Sequence, residues 1–245
     1  MLETIYITRH GFRQDWVTEH ALSPTKLPQD PPLAEIGLQQ AQELSARLAN
    51  EKIDAIYSSP FYRCLQTVTP VAEKADCPIK VEYGMSEWYG LTHEQYQPPA
   101  PLKELKGYFS HIDDTYTSMI ALPTGKETTQ DCHLRSKALI EKLVTALDQD
   151  PTQPKTVLLA GHAATVITAG RALLNDPDAY IYSGTASLSQ YTRDPKTNKW
   201  TMVLNGSTDY LSMGEQRSWM FHDAPGTTNY EVNKEKIATI DKNEQ

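Results

Sequence analysis

Thr4-Ile5-Tyr6-Ile7-Thr8, followed at once by Arg9-His10-Gly11, is a short β-branched and aromatic run that breaks at a glycine. It is too short for a helix and reads as a buried strand that delivers a basic pair to the loop at its end. The same construction returns far along the chain, where Thr156-Val157-Leu158-Leu159-Ala160 runs into Gly161-His162. Two histidines are thus expected at the carboxyl ends of two strands, where an open α/β sheet keeps its ligand crevice.

Working outward, 54–58 and 79–83 predict two further short strands, and 186–192 with 200–205 predict a hairpin joined by Asp194-Pro195-Lys196-Thr197-Asn198. Helices are expected between them. Leu38, Ala41, Leu44 and Leu48 mark one buried stripe, and Pro60 suits the first turn of a helix carrying Arg63, Thr67 and Val71. Leu139, Ile140, Leu143, Val144 and Leu147 mark a third helix, and 165–174 a fourth. Pro24, Pro28 and the Pro31-Pro32 pair make 18–32 an extended surface loop. The aperiodic stretch 92–123, with Gln97-Pro98-Pro99-Ala100-Pro101, reads as an inserted loop. Strands alternating with amphipathic helices imply an α/β fold, a three-layer α/β/α sandwich around a mostly parallel, mixed sheet.

The 245 residues are 39% hydrophobic and 22% charged, which suits a folded chain with a substantial core rather than a disordered one. No apolar run is long enough to span a bilayer, and the first residues lack the pattern of a secretory signal, so neither membrane association nor export is expected. Cys64, Cys77 and Cys132 form no CxxC pair and are odd in number, so they read as thiols of a reducing compartment. A net charge of −8 offers nucleic acid no broad basic face, and direct binding to it is not expected.

A tetrahedral phosphate needs cationic donors, and the arginine fork can give it two parallel hydrogen bonds. Arg9, Arg13 and Arg63 are candidates. A neutral imidazole can attack phosphorus and split one hard displacement into two easier ones, a role that fits His10. The departing oxygen needs a proton, and Glu87 in Gly84-Met85-Ser86-Glu87-Trp88 is the candidate acid, with Glu35 and Asp15 as weaker competitors. Other chemistries fail on spacing. Gly161-His162-Ala163-Ala164-Thr165 lacks the serine of a nucleophile elbow, and no HExxH, cysteine-rich zinc pattern or P-loop occurs. No metal or cofactor is expected. Cys64 directly follows Arg63, which rules out the cysteine-phosphatase arrangement, and it reads as a small buried residue.

The segments Ile7-Thr8-Arg9-His10-Gly11, Pro32-Leu33-Ala34-Glu35-Ile36-Gly37-Leu38-Gln39-Gln40-Ala41, Ser58-Ser59-Pro60-Phe61-Tyr62-Arg63-Cys64-Leu65-Gln66-Thr67 and Leu158-Leu159-Ala160-Gly161-His162-Ala163 resemble, in kind and order, four elements of the histidine phosphatase (phosphoglycerate mutase-like) superfamily. The resemblance implies a phosphoglycerate mutase-like domain over 1–225, followed by a polar tail, 226–245. It implies a metal-independent phosphomonoester hydrolase in which His10 is transiently phosphorylated. Arg9, Arg63 and His162 complete the phosphate pocket, and Glu87 is the proton donor. The Arg-His-Gly-x-Arg variant, with Arg13 second, is similar to a branch acting on phosphotyrosine-type substrates, where that arginine lines the pocket. Trp16 is expected near the entrance, while Trp88 and Tyr89 read as packing residues.

Ser59-Pro60-Phe61-Tyr62-Arg63-Cys64, Glu87-Trp88-Tyr89 and Asn205-Gly206-Ser207-Thr208 further resemble the phosphatase-like subunit of the fungal RNA polymerase III factor TFIIIC and its free-standing paralogues. That resemblance implies a nuclear or cytoplasmic protein. Its partners would be a phosphorylated small molecule or phosphoprotein and, within a complex, other TFIIIC subunits. Two alternatives stand beside hydrolysis: a weakly active or inactive docking subunit of that complex, and a phosphoglycerate mutase. Arg13 and the neighbouring aromatics suit an aryl or larger phosphate better than phosphoglycerate. The plainer readings are a solvated Arg63 with its stem on Tyr62, a satisfied strand-end His162, and a Glu87 in a surface salt bridge.

Overall fold

The computed structural model describes residues 1–19, 21–152 and 154–221, so the expected tail at 226–245 and the last residues of the 1–225 domain lie outside the described residues. The strands are β1 (Thr4–Arg9), β2 (Ala55–Ser58), β3 (Ile79–Val81), β4 (Thr156–Gly161), β5 (Leu188–Arg193) and β6 (Trp200–Ser207). They form a six-stranded sheet in the order β3-β2-β4-β1-β5-β6. β1 to β4 run parallel to one another, and β5 is antiparallel to both β1 and β6. The sheet is therefore mixed and mostly parallel.

Side chains alternate across it. Ile5, Ile7, Tyr57, Val157 and Leu159 pack with α4 (Thr129–Gln149) and α5 (Ala163–Leu174) on one face. Tyr6, Ile56, Leu158 and Ala160 pack with α1 (Glu35–Arg47) and α2 (Tyr62–Ala75) on the other. Burial on both faces is why β1 and β4 read as unbroken apolar runs. The aperiodic stretch 92–123 contains one short helix, α3 (Leu102–Tyr108), whose Leu105 joins the second cluster.

Three local departures from the sequence reading bear on the site. Leu38 is 40% exposed, and the buried stripe of α1 begins instead at Gly37. A Cβ on Gly37 would lie 2.2 Å from the Phe12 carbonyl oxygen, so α1 packs backbone to backbone on the segment after β1. Pro60 precedes α2 rather than opening it: Phe61 is the N-cap and makes no side-chain cap bond. The Asp30 carboxylate supplies that cap from the proline-rich loop, accepting from the Tyr62 N–H at 2.9 and 3.0 Å. Lastly, β3 stops at Val81 because buried Glu82 folds back to accept from the Gly84 N–H (2.9 Å), the Tyr116 hydroxyl (2.6 Å) and the Met119 N–H (2.8 Å). Those bonds fix the turn that leads to Glu87.

Candidate active site

Strand register places the two histidines. Arg9 of β1 lies opposite Gly161 of β4, so the residues that follow each, His10 and His162, leave the sheet side by side. Their ring centroids are 5.4 Å apart, edge to face. Ser58 of β2 lies opposite Ala160, which brings Ser59 beside His162 with its Oγ 2.8 Å from Nε2. The turn after His10 is tied to both neighbouring helices: the Gly11 N–H donates to Thr67 Oγ1 (3.0 Å) and the Phe12 N–H to Gln40 Oε1 (2.9 Å).

Arg63, in the first turn of α2, is 1% exposed. Its guanidinium meets Asp30 Oδ1 at 3.1 Å, Glu87 Oε2 at 2.9 Å and His162 Nδ1 at 3.1 Å. Burial works against its charge, yet Glu87 and Asp30 together raise its pKa. Arg9 is also buried and donates through Nη1 to the Ser183 carbonyl (2.6 Å) and to the Arg217 carbonyl. Burial, with Arg13 and Arg63 nearby, brings its pKa down to about 10, so it too stays charged at neutral pH.

His10 lies 2.8 Å through Nδ1 from the Gly11 carbonyl. That contact assigns the proton to Nδ1 and leaves the lone pair on Nε2. Burial, then Arg63 and Arg9, hold the ring well below the usual histidine range, so it is neutral. His162 is neutral as well, pushed down to about 4 by burial against the pull of Glu87. Burial alone would raise the Glu87 carboxyl, but the His162 ring in hydrogen-bond contact with it (Nδ1 to Oε2 3.0 Å) and the Arg63 guanidinium hold it well below the usual range, and it is ionised. Donor atoms of His10, Glu87 and His162 lie within 4.8 Å of one another, close enough to surround a cation. The Arg63 guanidinium already occupies two of those three donors, and two arginines depress His10. The local field therefore favours an anion.

The cleft over this floor, about 230 Å³, is lined by Arg9, His10, Arg13, Trp16, Glu87 and Trp88, with His93, Trp219 and the first residues of α5, Ala163 and Ala164. The 12-residue α5 thus turns its N-terminus toward the cleft, an arrangement that favours bound anions. Arg9, His10, Arg63, Glu87 and His162 come together as the sequence suggests. Arg13 sits on the rim, paired with Asp15 (Nε to Oδ1 2.9 Å), which commits Asp15, while Glu35 is exposed at the start of α1. Trp16 stands at the entrance, its ring 6.3 Å from that of His10. Trp88 both packs, donating Nε1 to the Glu127 carbonyl at 3.0 Å, and lines the cleft. Cys64 is buried, its thiol pushed up to about 12 chiefly by burial.

Asp30, Ser59, His93 and Trp219 escape the sequence reading. Ser59 lies inside a quoted motif, but the other three sit in aperiodic loops with no local signal.

The profile of the histidine phosphatase superfamily (branch 1) matches residues 5–206. The chain belongs to this superfamily. Its relatives include the transcription factor tau 55 kDa subunit of Saccharomyces cerevisiae, 32% identical over 90% of this chain and 59% of the yeast protein. They also include the ecdysteroid-phosphate phosphatase of Drosophila melanogaster, 27% identical over 69% of this chain and 26% of the fly protein. The chain thus spans little more than half of the first relative and a quarter of the second. Among solved structures, the silkworm ecdysone phosphate phosphatase in complex with tungstate superposes with a TM-score of 0.66 at 19% identity, covering 94% of this chain and 99% of that one. The superposition shows the same α/β fold in the two chains. Among the described residues no helix is long and apolar enough to cross a membrane.

Proposed function

We propose that this superfamily member is a phosphomonoester hydrolase that works through a phosphohistidine at His10 and prefers aryl phosphates. One observation carries the reading: a neutral imidazole with its proton fixed on Nδ1 stands among buried guanidinium groups and one ionised carboxylate. Arg9, Arg63, His162 and the α5 N-terminus hold the phosphoryl oxygens, and no metal is needed because the arginines supply the positive charge. Nε2 of His10 attacks phosphorus as the bond to the ester oxygen breaks. Glu87 gives that oxygen its proton. Because Glu87 is ionised in the empty cleft, the proton arrives with the substrate monoanion and passes to Glu87 as the anion crowds it. Water then attacks phosphorus, Glu87 takes the water's proton, the N–P bond breaks and His10 returns neutral; the phosphate leaves as its monoanion, carrying the proton back off Glu87, which is ionised again. Tungstate, another tetrahedral oxyanion, is what the silkworm structure holds, which agrees with such a pocket. The aromatic rim of Trp16, Trp88 and Trp219 supports an aryl leaving group.

The test is His10→Ala in the full chain with 4-nitrophenyl phosphate. Loss of turnover with the circular dichroism of the folded wild type is expected, and undiminished turnover in that variant refutes the mechanism.

A second reading rests on the 32% identity to the tau 55 kDa subunit: a nuclear subunit of a TFIIIC-type assembly in which docking matters as much as catalysis. Affinity purification of the tagged full chain from its own cells checks this. Recovery of the other subunits of that factor supports it, and a monomer with high turnover and no partner counts against it. The two readings are compatible.

A further inference from the structure

Outside the phosphoryl floor, three guanidinium groups crowd one indole. The ring of Trp16 has Arg13 at 5.0 Å, Arg217 at 5.1 Å and Arg9 at 5.8 Å. Two of the three are committed elsewhere: Arg13 is paired with Asp15, and Arg9 donates to the Ser183 and Arg217 carbonyls. The third is different. The Arg217 side chain lies on the rings of Phe12 (5.8 Å) and Trp16 and forms no ion pair with a carboxylate among the described residues. It is exposed, and it lies on the Trp16 ring, which lines the cleft and is next to His10.

Its backbone is placed with some strain. Arg217 has φ 51°, a left-handed conformation that a side-chain-bearing residue adopts at a cost. That conformation goes with a carbonyl turned to Arg9 and a side chain laid along Trp16. The segment is held on both sides, by the Thr185 N–H donating to the Gln216 carbonyl (2.9 Å) and Ser183 Oγ donating to the Trp219 carbonyl (2.6 Å). A cation with no acidic partner among the described residues, held over an aromatic ring that lines the phosphate cleft, is a half-built anion site.

We propose that Arg217 and the Trp16 ring form a second subsite that recognises an anionic group on the leaving portion of the substrate, so that the preferred ester carries a negative charge beyond its phosphate. This rests on the aryl-phosphatase reading above and deepens it. The ring of the leaving group lies along Trp16, and a carboxylate at its far end meets the Arg217 guanidinium. The same chemistry serves a free aromatic acid phosphate or a phosphotyrosine followed by an acidic residue.

The probes are 4-carboxyphenyl phosphate and its neutral amide, 4-carbamoylphenyl phosphate, which differ in one charge and little in shape. In the full chain the ratio of kcat/KM for acid over amide is expected to fall about fivefold in Arg217→Ala, the effect of one partly solvated charge pair, and to recover in part in Arg217→Lys. The fall should shrink in 0.5 M salt. A ratio unchanged by Arg217→Ala, whether both rates drop together or neither moves, overturns the subsite. Calorimetric binding of the same two esters to His10→Ala and to His10→Ala/Arg217→Ala gives the answer without turnover, so a failure of the phosphatase mechanism is told apart from a failure of the subsite. Two phosphotyrosine peptides, with glutamate or glutamine after the tyrosine, then separate the sources: a difference lost in Arg217→Ala points to peptides, and its absence beside a carboxyphenyl preference points to small acids.

Discussion

The floor and the rim of the cleft are built by opposite means. On the floor, His10, Arg63 and His162 are 2%, 1% and 0% exposed, and each sits at a strand end or in the first turn of a helix. Their partners come from distant parts of the chain: Asp30 and Glu87 for Arg63, Ser59 for His162. On the rim, Arg13, Trp16, His93 and Trp219 stand on short turns and loops, more exposed than the floor, and their side chains meet mainly aromatic rings and the exposed or half-exposed Arg217 and Asp15. The contrast teaches that the floor's charges are structural members as well as chemical ones, whereas the rim can vary without endangering the fold.

The largest effect is expected at Arg63. Replacing it with Met leaves the buried Asp30 carboxylate, and the partly exposed Glu87, without their cation, and breaking a buried pair such as Arg63–Asp30 from one side costs about 3–5 kcal/mol. In a chain of this size that is a drop of roughly 10 °C in Tm, read by differential scanning calorimetry. A melting point within a degree or two of wild type would mean that the floor does not brace the fold. Glu87→Gln should act on chemistry instead. Its loss of kcat/KM, which reports phosphoryl transfer to His10 and not the later attack of water, is expected to reach about 10²–10⁴-fold on an alkyl phosphate, whose leaving oxygen needs the proton, and to be far smaller on 4-nitrophenyl phosphate, whose leaving group does not. Equal losses on both substrates would remove Glu87 from the acid role.

How much of this was legible beforehand follows the same line. Thr4 to Thr8 and 156–160 announced their strands because a strand buried on both faces must be apolar throughout, and the histidine that follows each needs no tertiary information to be placed at its end. That the two rings would meet depended on β1 and β4 being neighbours in register, which the order of elements suggests but local pattern cannot fix. Arg63 was legible through its motif. Asp30 was not, because nothing within a proline-rich loop reports that a carboxylate will cross over to cap another helix. Leu38 misled for a related reason: its spacing fits the buried stripe, but Gly37 is the residue that lets α1 close on Phe12, and this rotates Leu38 outward. His93 and Trp219 reach the cleft from segments without periodicity, so only the folded chain reveals them.

Acid should weaken the floor before the rim. The pKa of His162 is pushed down to about 4, chiefly by burial, whereas in the unfolded chain it lies near 6.5. Between those values the unfolded state takes up a proton that the folded state refuses, so stability is lost as pH falls through that window, on the order of 2 kcal/mol by pH 5. His10, also held low, works in the same direction, and Glu87 adds to the loss only below its unfolded value, near 4.5. Urea midpoints should therefore be lower at pH 5 than at pH 7, and His162→Asn should flatten the difference. Equal midpoints at the two pH values in the wild-type chain would mean that the floor accepts the charge without cost.

The smallest effect belongs to Arg13. Its side chain is 23% exposed and already paired with Asp15, so it offers an incoming phosphate only part of a charge in a partly solvated setting. Such a contact is worth about 1 kcal/mol or less, and it acts equally on bound substrate and transition state. Arg13→Ala should accordingly raise KM for an aryl phosphate about fivefold while kcat stays within a factor of two, with Tm unmoved. Asp15→Asn frees the guanidinium and should shift KM the other way. If Arg13→Ala instead lowered kcat as steeply as the loss of Arg63, the rim would be part of the reacting centre, and exposure would no longer separate what positions the phosphoryl group from what selects the substrate.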